Sequence, residues 1–307
     1  MSGTGWGSIS RSRLIGRVAG AALAIGLCSV AVQSASALTF VIDFKEAAQG
    51  TTADMFGAQA TSFDVTSYGF AAGDYALVTS SIIAALEQDF RGIVTSGFNV
   101  LSPIPDGQEL DIDFVIGDIG GGASNGDADF YYVQVGSSVS DSFLGQACLG
   151  CVRGSPFGGV GSVVASIFTD NINALGGVGA ALTSGNLLAT TNAITGTLSH
   201  EIGHTLDLEH CHKAGSVTDN GNAPLLGTGA LDMPNADRLL DREFSFSCKL
   251  NLSGTLTQNS VQTLVNNVGL RDAPDSVAEL PEPAMGAVFG LGLLGMAAMR
   301  RRTRRAA

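Results

Sequence analysis

Residues 197–212, TLSHEIGHTLDLEHCH, hold all four histidines of a 307-residue chain. His200 and His204 are four apart, so on a helix their imidazoles leave one face, one turn apart, and can share a metal ion. Glu201 lies beside them, where a carboxylate reaches a water on that metal rather than the metal itself. Zinc with three protein ligands and an open position lowers its water's pKa to ~7, and a neighbouring carboxylate can then take the proton. His210, six residues after His204, is a third ligand if the chain turns in between. His212 lies one residue past Cys211 and is expected to be a surface side chain. The expected site is therefore zinc on His200, His204 and His210, with Glu201 as the catalytic base.

Asp207 complicates that geometry. A helix running past His204 puts residue 207 on the metal face, seven residues from His200, and leaves residue 210 about 80° off it. Two arrangements compete. In one, Asp207 breaks the helix and His210 swings back to the metal; in the other, the helix continues and the Asp207 carboxylate is itself a ligand. Imidazole is the better zinc ligand, and His210 is idle in the second arrangement, so the first is expected.

These residues need elements to hold them. Residues 187–206 read as a helix whose core stripe is Ile194, Leu198 and Ile202, with His200 and His204 about opposite, facing a cleft. A second amphipathic helix covers 75–91, with Val78, Ile82, Leu86 and Phe90 one turn apart. LTFVIDF (38–44) alternates as a strand, and LDIDFVI (110–116) alternates again with Asp111 and Asp113 on its polar side. FYYVQV (130–135) and SVVASIF (162–168) are strand-like by composition. The order of strand, helix, several strands and metal-bearing helix predicts a single domain of α+β or α/β class.

HEIGHTLDLEH is similar to the zinc-binding signature of the metzincin metallopeptidases, HExxHxxGxxH, with Asp207 in place of the glycine. The resemblance covers residues 200–233 by motif and 38–270 loosely by fold. It implies an α+β, zincin-like catalytic domain with a twisted mixed sheet, acting on a protein or peptide substrate, with zinc on His200, His204 and His210 and Glu201 as general base and acid. In metzincins the glycine takes a left-handed conformation that ends the helix, and Asp can adopt it at roughly 1–2 kcal/mol. Metzincins also carry a methionine turn beneath the metal, and GALDMPNAD offers Met233. The tyrosine that some of them place after that methionine is missing, since no tyrosine follows Tyr132. No pro-segment is visible either.

The two ends read as addresses. Residues 1–37 carry three arginines ahead of the apolar run VAGAALAIGLCSVAV, then ASA, as in a secretory signal peptide with a mature start near Leu38. Residues 281–307 closely resemble the PEP-CTERM sorting signal: Pro281-Glu282-Pro283, an apolar run and an arginine cluster, after a polar linker at 271–280. That resemblance implies a Gram-negative bacterium, removal of the tail by an exosortase, and delivery to the cell surface or beyond. Membrane association is then only transient, through the termini. Without the eight arginines of these ends, 8 basic residues face 28 acids, a net charge of −20 for residues 38–283. So acidic a body disfavours nucleic acid as a partner.

Four cysteines remain in an exported body, and an oxidising compartment favours disulfides. Of the three connectivities, Cys148–Cys151 with Cys211–Cys248 is expected. The loop at 117–130 offers Asp118, Asn125, Asp127 and Asp129 as oxygen ligands, and Ca²⁺ is a secondary expectation there. Taken together, the sequence predicts an exported zinc metalloendopeptidase. The alternative is a non-catalytic extracellular surface or matrix protein on the same fold.

Overall fold

A computed structural model describes residues 37–46, 51–91, 104–118, 130–152, 161–218 and 220–274. The proposed signal peptide, the sorting signal and calcium candidates Asn125, Asp127 and Asp129 lie outside the described residues. The chain opens with β1 (Leu38–Phe44), the short pair β2 (Thr52–Ala53) and β3 (Gln59–Ala60), and α1 (Tyr75–Arg91). Next come β4 (Gln108–Leu110), β5 (Ile112–Ile116), β6 (Phe130–Gly136), β7 (Gly145–Ala147) and β8 (Val163–Phe168). Two short helices, α2 (Thr169–Asn173) and α3 (Gly179–Leu182), lead into α4 (Leu187–Thr205). The rest holds β9 (His212–Val217), α5 (Gly229–Asp232), β10 (Ser247–Lys249), β11 (Thr257–Gln258), α6 (Ser260–Val268) and β12 (Leu270–Asp272).

The main sheet runs β5-β1-β6-β8-β7, with the first four strands parallel and β7 antiparallel at the edge. This twisted mixed sheet with its helices is the α+β architecture the sequence predicts. Central position explains why β1 is apolar on both faces. Phe40 and Ile42 join the core made with α1 and α4, while Val41 packs with Tyr132 and Val163.

Helix α1 buries Val78, Ile82, Leu86 and Phe90, the stripe its spacing predicts. Full burial of each such side chain is worth about 1.5–3 kcal/mol. Phe90 also ties three parts together, its ring 5.2 Å from Phe114 of β5 and 5.0 Å from Phe244. Helix α4 starts at Asn186, whose side chain accepts from the Ala189 amide at 3.1 Å. It buries far more than one stripe, because α1 and the sheet cover part of it and the segment around Leu225 and Phe244 another part.

The strand expected over 110–116 is two strands. At Asp111 the amide turns to the Gly269 carbonyl, while its own carbonyl accepts from Leu38, so pairing switches from β12 to β1. Arg271 fixes β12: its guanidinium stands 2.8 Å from Glu109 and 2.8 Å from Asp113, which Arg91 also reaches at 2.7 Å. Regular structure therefore continues through Asp272, two residues into the stretch read as linker. Among the described residues, no helix is long and apolar enough to cross a membrane.

Candidate metal centre

The site begins where α4 ends. Asp207 has φ 69°, the one non-glycine residue with a positive φ among those described. The Leu208 amide donates to Gly203 and the Asp207 amide to His204, each at 3.0 Å, the paired bonds of a Schellman cap. Leu208, just beyond the turn, is fully buried and anchors the reversal. The Asp207 side chain is not part of the histidine cluster: it lies beside Gly150, and the Asp207 backbone carbonyl accepts from Gln258 Nε2 at 3.0 Å. The structure thus has Asp207 as a helix breaker, not as a ligand.

The reversal brings His200, His204 and His210 together, one ligand nitrogen from each lying within 4.8 Å of the others. His200 Nδ1 is 2.8 Å from the Leu225 carbonyl and His204 Nδ1 is 2.5 Å from the Leu208 carbonyl. A carbonyl only accepts, so each Nδ1 carries the proton and each Nε2 keeps its lone pair. Those two Nε2 atoms stand 3.0 Å apart. Burial, then His204, holds His200 well below the ordinary imidazole value; burial holds His204 down to about 4 and lowers His210 as well. Three neutral, converging imidazoles fit a divalent metal that takes nitrogen ligands.

Glu201 lines the same cleft, a cavity of about 880 Å³, and is 7% exposed. Burial pushes its carboxyl up to about 8, and among the described residues no charged neighbour or hydrogen bond offsets that. The edge strand β7 presses on it. A Cβ at Gly145 would stand 2.7 Å from both Cγ and Oε1 of Glu201, so only glycine leaves the carboxylate where it is.

His210, the most exposed of the three, is held by its neighbours. Cys211 donates its amide to Leu226 at 2.9 Å and pairs with Cys248. Gln258 clamps the turn, taking the Glu209 amide at 3.0 Å while bonding Asp207. Cys148 and Cys151 also pair, and their loop caps α4: Gly150 and Val152 donate to the carbonyls of His204 and Thr205. Both cysteine pairings are those expected, and they accord with an oxidising compartment.

His212 is not free on the surface: its Nδ1 lies 2.8 Å from Asp232, and it takes no part in the cluster. Met233 is buried, its sulfur 3.5 Å from Arg242 Nη1. The Leu208 and Leu225 carbonyls, Gln258 and Gly145 are the residues that the sequence does not announce. Two are backbone groups, and Gln258 acts from 51 residues away. No protein-family profile matches the sequence, and no curated protein matches it.

Proposed function

We propose that this protein is an exported zinc-dependent endopeptidase, of metzincin type by its motif. The observation that carries the reading is the convergence of three histidines with Glu201 in one cleft, produced by the left-handed turn at Asp207. A site built only to store metal has no use for a buried carboxylate with no hydrogen-bond or ion-pair partner among the described residues. Three histidines would hold zinc, which supplies Lewis acidity toward a carbonyl and toward water when bound. Glu201 takes the proton from the attacking water and returns it to the departing amine nitrogen. Burial raises its pKa because the pocket disfavours an isolated charge, and a bound cation would offset that.

The edge strand supports a peptide as substrate. Among the described residues β7 pairs on one side only, with β8, and Gly145, Gln146 and Ala147 line the cleft. An extended chain can add to such an edge through main-chain hydrogen bonds, which are indifferent to side-chain identity. Zinc as the metal, secretion and tail processing belong to the same proposal. The test is metal analysis of the purified protein with a casein digest. Zinc near one per chain is expected, and Glu201→Gln should keep the zinc and lose hydrolysis. Unchanged turnover in that variant would refute the mechanism.

A further inference from the structure

Two arginines lie at or behind the metal cleft, with no ion pair of their own among the described residues. Arg238 lines the cavity from the turn Asn235–Leu239, and its buried Nε has no hydrogen-bond partner among the described residues. That turn is pinned: Asn192 of α4 donates to the Leu239 carbonyl at 2.9 Å, and Asn235 to the Gly176 carbonyl at 2.9 Å. Behind it, Arg242 is 3% exposed, with Nε and Nη2 both unpartnered among the described residues. Its guanidinium lies across Gly196, one turn before His200, where any Cβ would overlap Nη2; Gly196 itself lines the cavity.

Among the described residues no carboxylate pairs with either arginine; Asp241, like Asp237, acts on Arg242 only through space. Asp237 bonds Lys213 at 2.5 Å, and Asp232 takes His212 and the Lys213 amide. Asp89, which accepts from Ser199, acts on Arg242 only through space. Arg238 lines the cleft with no ion pair among the described residues, so it can take an anionic acceptor there, and a planar carboxylate is the one that matches a guanidinium fork. In a body with so large an acidic excess, a cationic spot beside the metal is a selective feature.

We propose that Arg238, backed by Arg242, determines specificity by receiving an acidic side chain, aspartate or glutamate, close to the scissile bond of the substrate. This rests on the endopeptidase reading above. The test uses the full chain loaded with zinc and peptides that differ only by Asp, Asn or Lys, scanned over three positions on each side of the cleaved bond. At one position the Asp-over-Asn ratio in kcat/KM should be roughly 10–100, the worth of one charge-assisted hydrogen bond. Arg238→Gln should bring the ratio near one, Arg238→Lys should keep part of it, and Arg238→Glu should turn the preference toward Lys. A ratio near one at every position in the unaltered protein, or an unchanged ratio in Arg238→Gln, overturns the proposal. Should no peptide be cut at all, the endopeptidase reading falls, and calorimetric binding of the same peptides decides this one separately. Roughly tenfold tighter binding of the Asp peptide, abolished in Arg238→Gln, would uphold acidic recognition; equal or absent binding would overturn it.

Discussion

His204 Nδ1 reaches the Leu208 carbonyl, 2.5 Å away, because Asp207 between them turns the chain left-handed. One backbone torsion thereby does two things. It fixes the tautomer of the second histidine and redirects the chain so that the third can join it.

The first prediction follows from that torsion. Asp207→Gly should keep metal binding and gain up to about 1 kcal/mol, since glycine takes this conformation without a Cβ clash. Asp207→Val should lose about 1–2 kcal/mol or more and weaken metal binding, because a β-branched residue resists positive φ. His210→Ala should lose most of the affinity while the helix turn survives. Zinc titration with thermal melts of the three variants checks this. Zinc lost in Asp207→Gly but kept in His210→Ala would reverse the assignment.

Much of the site was legible because helix periodicity is local. His200, Glu201 and His204 needed only 3.6 residues per turn, and the observed α4 ends one residue short of the predicted 206. The turn at Asp207 was legible as a conflict between that period and a third histidine. The split at Asp111 was not, because a continuous apolar alternation does not say that its two halves pair with β12 and β1. Nor were Gln258, Gly145 and the arginines, each of which acts on residues many positions away. Gly145 is one of 41 glycines, and nothing in its neighbouring sequence marks it.

Gly145 therefore makes a sharp test. Gly145→Ala introduces a methyl 2.7 Å from Glu201 Cγ, too close to the fixed part of the side chain for its tip alone to yield. The carboxylate must move while the three histidines stay. Zinc content should be unchanged and kcat should fall by ~100-fold, the effect of displacing a catalytic group by about 1 Å. Zinc loss in parallel with activity would show that the strand supports the metal instead.

Burial of Glu201 gives a pH prediction for the metal-free protein. Its carboxyl titrates at about 8 when folded and near 4.3 when unfolded, so between these values the folded chain holds a proton that the unfolded chain has released. Stability must then fall as pH rises through that window. Glu201→Gln removes the titration, so its stability advantage over the unaltered chain should grow from pH 5 to 8. The slope approaches about 1.4 kcal/mol per pH unit at most. Chemical unfolding of both proteins under chelation, at several pH values, measures the difference, and a pH-independent difference would contradict the burial argument.

The last prediction concerns the bond beside the third ligand. Cys211 and Cys248 are 37 residues apart, and the segment they close carries Met233, Arg238 and Arg242 as well as the Leu225 carbonyl that orients His200. In the chain-entropy model, opening a loop of that length costs roughly 3–4 kcal/mol. Cys211 also adjoins His210, the most exposed of the three histidines and the one whose ring makes no hydrogen bond among the described residues. Cys211→Ser with Cys248→Ser should therefore lower stability by about that amount and weaken zinc binding, while His200 and His204 still form their α4 pair. The Cys148–Cys151 loop closes only three residues of chain and should contribute little through entropy. Its effect should come from the two amides that cap α4. Removing that pair ought to loosen exchange protection at Leu206–Leu208 more than it lowers the melting temperature. If removing Cys148–Cys151 instead destabilises the protein as much as removing Cys211–Cys248, the entropic account of both bonds fails.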